Sequence, residues 1–271
     1  KNVKVINFNP QFSSTLGNYV AVVGPAGTTT YETLMAGSVP LSFEITDDGR
    51  DSKYAWVSLG HLFHLSFIEA KDNASATKVA ELFLKNLRKP KEFITQAPVQ
   101  LDGLGCERAA RDIVQYYMTG SCSLDIAGTK DQKKIINTEF AFYPCLSVDA
   151  YEFLNSRNGE LARCSSTNPN QIISWTDHLV WWCNPEIDRF KALNQVSGVA
   201  EGYFWVKKLT IDKKTFFTSG WFPSRDFNER NGFRLGLNIM QALDDIILNI
   251  GTPGVWVITM RSDNEFAIKA N

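Results

Sequence analysis

The sequence predicts an α+β protein with a mostly antiparallel sheet and about five helices. Three observations carry that class. Strand-type and helix-type segments come in runs rather than in strict alternation. The residues before Ser75 read mainly as strands. Two hairpin signals, near residues 213 and 263, each join a pair of β-rich segments.

Val3, Val5 and Ile6 begin the first strand, residues 18–23 form the second and residues 40–46 the third. The stretch DDGRDSK follows, and its Asp-Gly pair favours a turn. Residues 54–68 read as a further strand, bent or bulged near Gly60. A helix is expected over 75–88, because Val79, Leu82, Phe83 and Leu87 recur at helical spacing and Pro90 stops it. Ser75 is its expected N-cap. The segment 106–118 has Ala110, Ile113 and Tyr117 on one helical face, with Gly120 suited to the C-terminal cap. A third helix is expected over 147–158, capped by Ser147. Residues 135–143 and 171–182 read as strands. Asn184-Pro185-Glu186 carries the signals of a helix start: a capping side chain, a proline that needs no donor and an acid at the positive end of the dipole. Residues 203–211 and 215–222 form a hairpin across Asp212-Lys213-Lys214. The last helix is 235–249, closed by Gly251 and Pro253. Residues 255–260 and 266–269 form a second hairpin.

The chain of 271 residues, 44% hydrophobic and 21% charged, has the composition of a globular protein rather than a disordered or collagen-like one. It is read as a single domain over 1–271, with residues 90–98 as the best linker candidate. Lys plus Arg number 28 against 29 Asp plus Glu, so there is no overall basic excess to seek a polyanion. No apolar run approaches the ~18 residues that span a bilayer. The cysteines at 106, 122, 145, 164 and 183 contain no CxxC pair. Their odd number argues for reduced thiols and a cytoplasmic, intracellular setting. No cofactor and no metal is expected.

Ser75-Ala76-Thr77-Lys78 has the spacing in which a lysine one helical turn away takes a serine proton, and Ser262-Asp263-Asn264 matches a triplet found with it. The lysine-threonine-glycine strand is missing, so Ser75 reads as a cap and 262–264 as a turn. Asp177, His178 and Cys183 are the residue types of a nucleophilic triad, with nothing local to bring them together. His61 and His64, three apart on an expected strand, point to opposite faces. The stretch Gly24-Pro25-Ala26-Gly27-Thr28 lacks the GK[ST] ending of a phosphate loop and reads as a turn.

The densest functional signal lies in 203–234, where aromatics alternate with basic residues in a chain of net charge −1. Lys207, Lys208, Lys213, Lys214, Arg225 and Arg230 are candidate phosphate partners, and Tyr203 and Trp205 candidate stacking platforms for RNA or single-stranded DNA. Taken with the failure of each catalytic motif, the expectation is a non-enzymatic structural protein. It self-associates as a homo-oligomer or virion component and contacts nucleic acid. A nucleic-acid-binding module and a serine or cysteine hydrolase stand as alternatives.

Overall fold

The computed structural model describes residues 11–47, 52–87, 101, 103–120, 135–136, 139–166, 168–225, 227, 232–250 and 254–257. The chain is α+β and divides into two compact units, residues 1–130 with 146–148, and residues 131–145 with 149–271. The linker candidate at 90–98 and the strand expected at Val3 lie outside the described residues. There are more helices than the five expected, and most of the additional ones are short.

The first unit is built on a parallel three-stranded sheet. Strand β1 (Ala21–Pro25) passes through helix α1 (Thr28–Met35) to β2 (Val39–Phe43). Helix α2 (Lys53–Ser58) precedes β3 (His64–Leu65), and the sheet order is β1-β2-β3. Both pairings are parallel, with Gly24 and His64 flanking Ser42 in register. The central strand is buried along Val39, Pro40, Leu41 and Ser42, the continuous pattern of a strand covered on both faces. Residues 54–68 were expected as one bent strand. They form α2, β3 and the start of α3 (Phe67–Lys71), whose N-cap Ser66 makes a reciprocal capping box with Glu69. Helix α4 (Asn73–Asn86) buries Val79 and Phe83. Its cap is Asp72, whose carboxylate accepts from the Ser75 backbone N–H at 3.0 Å, so Ser75 lies inside the helix. Helix α5 (Gly105–Thr119) ends at Gly120 in the left-handed conformation, as its sequence predicts.

The second unit holds a six-stranded sheet of β4 (Ile135–Ile136), β5 (Phe140–Pro144), β6 (Ile187–Asn194), β7 (Ala200–Ile211), β8 (Lys214–Pro223) and β9 (Val255–Val257), in that order. Every pairing is antiparallel except β8 with β9. The hairpin expected at 203–222 is present, and Asp212 and Lys213 take the positive φ values its two-residue turn requires. Residues 171–182 were expected as a strand and carry helix α8 (Trp175–Trp182). Asn184 was expected to start a helix, and the chain instead enters β6 at Ile187. Helices α6 (Ala150–Arg157) and α7 (Glu160–Ser165) lie between β5 and α8, and α6 begins beyond a 3₁₀ turn at Ser147–Asp149. Helix α9 (Gly232–Asn249) crosses over from β8 to β9. Part of the second expected hairpin, residues 258–269, lies outside the described residues.

Both faces of this sheet are covered. Phe140, Phe142, Phe204, Val206 and Phe217 pack against Leu235, Ile239, Ala242, Leu243 and Ile246 of α9. On the opposite face Phe153 of α6 meets Tyr203 at 5.2 Å and Phe222 at 4.9 Å between ring centroids. Trp181 of α8 meets Trp205 edge-on at 6.2 Å. Alternation along β7 sends successive aromatics into two cores rather than to solvent.

Candidate functional site

The second unit has a cavity of about 480 Å³ beside the carboxyl end of β8. Its walls are Asn155 and Ser156 from the end of α6, the Asn158-Gly159 link, Glu160 to Ala162 at the start of α7, and Pro223, Ser224 and Arg225. That volume lies within the ~300–1,000 Å³ of small-molecule sites. Its position has a topological cause. Strand β8 has an antiparallel neighbour on one side and a parallel one on the other. The chain must therefore leave β8 through a helix instead of a tight hairpin, and such strand ends are where open sheets leave a crevice.

Local chemistry builds the walls. The Asn158 amide donates to the Ile173 carbonyl and its carbonyl oxygen accepts from the Ile173 N–H, both at 2.9 Å, which fixes the α6–α7 corner. Gly159 suits this corner, because an added Cβ would stand tightly, 3.0 Å from the Ser156 carbonyl oxygen. The Ser156 hydroxyl, 1% exposed, accepts from the Arg225 N–H at 3.1 Å and ties the corner to the end of β8. These groups are committed to the wall. Asn155, Glu160, Ser224 and the Arg225 side chain remain to face a ligand: an amide, a carboxylate, a hydroxyl and a guanidinium. Such a mixed set suits a neutral or zwitterionic molecule with several hydrogen-bonding groups better than a polyanion.

Next to this corner stands an aromatic and cationic cluster. His178 is fully buried, donates from Nε2 to the Ala150 carbonyl at 2.9 Å, and stacks on Trp181 at 5.6 Å. Burial, helped by the positive charges of Arg157 and Arg189, takes its pKa down to about 3. Arg189 forks onto the carbonyls of Ile187, Trp181 and Asn184 at 2.6, 2.5 and 3.0 Å. Asp177 is bonded to Ser174 at the start of α8, and burial pushes the Cys183 thiol up to about 12. Asp177, His178 and Cys183 therefore form no triad.

The sequence-predicted nucleic-acid residues do not make one surface. Tyr203 is 3% exposed and packed under Phe153, so it offers no face to a base. Trp205 is half-buried, edge-on to Trp181 and close under Gly220. Lys207 and Lys208 lie on opposite faces of β7. Lys213 and Lys214 are exposed at the hairpin turn. Arg225 lies beyond the far end of β8, roughly 30 Å away by strand rise. Arg230 lies outside the described residues. Of the seven that are described, only Arg225 reaches the cavity, and charge rather than cavity geometry singled it out. Asn155, Ser156, Glu160 and Ser224 carried no signal, since no spacing in the sequence links a helix corner to a strand end more than sixty residues on.

No protein-family model and no curated protein matches the chain. Among solved structures, the chain is similar to one described as a GCN5-related glucosamine N-acetyltransferase region in a fungal multi-domain GH3 beta-N-acetylglucosaminidase. The identity is 10%, the TM-score 0.26, and the match covers 84% of this chain and 24% of that one. The chain thus spans about a quarter of that protein's length. The expectation of a non-enzymatic structural protein that self-associates is corrected, because its physical ground fails: the aromatics of β7 and β8 fill the two cores. At this TM-score the likeness assigns no activity to the chain. Among the described residues no group of His, Cys, Asp and Glu is arranged to hold a metal ion, and no helix is long and apolar enough to cross a membrane.

Proposed function

We propose that the second unit binds a small polar molecule, of monosaccharide size and bearing several hydroxyl or amine groups, in the cavity at the carboxyl end of β8. The supporting observation is the cavity itself: about 480 Å³, walled by committed hydrogen bonds at Ser156 and Asn158 and lined by the uncommitted polar groups of Asn155, Glu160, Ser224 and Arg225. Amide and carboxylate groups accept hydroxyl protons, while the guanidinium and amide donate to hydroxyl oxygens. The test is saturation-transfer NMR on the full chain with a panel of neutral hexoses, glucosamine and free amino acids. Binding of a panel member by the wild type, weakened tenfold or more by Asn155→Leu and by Arg225→Ala, supports the reading. Absence of binding across the panel, or binding unchanged in both variants, overturns it.

A further inference from the structure

A second polar centre lies in the first unit, at the carboxyl edge of its parallel sheet. His61 and His64 converge there on one hydroxyl, contrary to the opposite-face expectation. His61 is not on a strand: it follows the turn that ends α2, which frees it from the alternation that governs β3. Ser42 Oγ stands 2.7 Å from His61 Nε2 and 2.8 Å from His64 Nδ1. His64 Nε2 stands 3.3 Å from Glu44 Oε1, which also accepts the Ser52 hydroxyl. The other Glu44 oxygen accepts from the Phe67 N–H at 3.3 Å. Ser42, His61 and His64 are each at most 2% exposed, whereas the Glu44 side chain is 15% exposed. The charged groups around the centre are Lys53 of α2 and Glu69 of α3, which pair with each other at 3.0 Å.

These contacts have one consistent set of directions. An ionised carboxylate only accepts, so His64 Nε2 carries a proton and donates to Glu44. Burial keeps the ring neutral, so His64 Nδ1 is bare and accepts the Ser42 hydroxyl. The Ser42 oxygen then accepts from His61 Nε2–H. We propose that His61, Ser42, His64 and Glu44 form a directional hydrogen-bond relay that ends at the solvent-facing Glu44 carboxylate, so that this carboxylate sets the tautomer of both buried imidazoles through Ser42. Each ring donates from Nε2 and stays neutral, which suits a buried site, where burial disfavours a charged ring and lowers the His61 pKa to about 3.

The experiment is histidine ¹⁵N NMR on the full chain at neutral pH. Wild type should show Nε2–H with bare Nδ1 for both His61 and His64. Glu44→Gln preserves volume and offers His64 a donor, and Glu44→Ala removes the acceptor. In either variant His64 should gain Nδ1–H tautomer, and so should His61, which does not touch Glu44. Adding Ser42→Ala should abolish the response at His61 alone. A wild-type His64 protonated on Nδ1, or a His61 spectrum unchanged in both Glu44 variants, overturns the relay.

Discussion

Arg189 shows how much of this fold turns on single side chains. It sits in β6, yet its guanidinium closes the carbonyl end of α8 and lies over the rings of Trp181 and Trp182, at 4.8 and 5.2 Å. Burial lowers its pKa to about 10, so it stays charged at neutral pH. The planar fork spreads its donors over two nitrogens, Nη1 to Ile187 and Nη2 to Trp181 and Asn184, a span that a lysine's single nitrogen does not match. Arg189→Lys should therefore cost roughly 1.5–3 kcal/mol, the worth of hydrogen bonds to a charged group, read from urea unfolding. An unchanged midpoint would show that the fork is not needed. Gly202 makes the same point by having no side chain. A Cβ there would meet Leu235 Cδ2 at 2.9 Å and the Phe222 carbonyl at 3.2 Å. Gly202→Val should push α9 away from β7 and destabilise by about 1–3 kcal/mol, as overpacking does. Neither role was legible in the sequence, because each depends on which residue arrives from another element. The same holds for the Ser42 centre. A serine and two histidines within 22 residues is unremarkable until parallel pairing sets Ser42 against His64.

At the scale of elements, the clearest errors of the sequence reading form an adjacent pair, residues 171–182 and 184–194. The helix-start signal at Asn184 is physically real, since its side chain accepts from the Glu186 N–H at 3.0 Å. The signal closes a turn there instead, because the following residues pair as a central strand between β5 and β7. The helix before it had its own markers. Ser174 caps Asp177, and Trp175, Leu179 and Trp182 recur at helical spacing and are buried together. The hairpin of β7 and β8 and helix α9 were legible because turn chemistry and periodicity agree there. For α4 the capping signal was placed three residues late. Asp72→Ala should lower the unfolding midpoint more than Ser75→Ala does, since only Asp72 accepts the free N–H at the helix start. Hydrogen bonding to Ser75 holds the Asp72 carboxyl below its ordinary value. Its stabilisation is thus present above the unfolded-state pKa and fades as pH falls through the folded one. Equal midpoints for the two variants would move the cap elsewhere.

Across the whole molecule, the composition gives near-neutral charge, and the structure adds a hidden dependence on pH. Each compact unit buries a strongly shifted neutral histidine, His61 in the first, where His64 is buried and neutral as well, and His178 in the second. Desolvation is the main cause in both. His64 adds to it at His61, and Arg157 and Arg189 add to it at His178, where the bond to the Ala150 carbonyl opposes them. Both pKa values fall to about 3 from an ordinary 6.5. The sign follows from proton uptake. Between those values the unfolded chain binds a proton at each site and the folded chain does not, so acid favours unfolding. Stability should be level above pH 6.5 and decline below it, approaching about 1.4 kcal/mol per pH unit for each histidine. A urea series at pH 7, 6, 5 and 4, with His178→Phe as the comparison, checks this. The ring stacks on Trp181 and packs near Phe153 at 5.9 Å, so phenylalanine keeps the aromatic contacts and removes the titration. It also leaves the Ala150 carbonyl without its donor, which lowers stability at every pH by a constant amount. The decisive quantity is therefore the slope: His178→Phe should flatten the acid decline of the second unit and leave that of the first unchanged. Identical slopes in wild type and variant would mean that His178 is protonated in the folded state, and that its buried neutral form is not the one the protein holds.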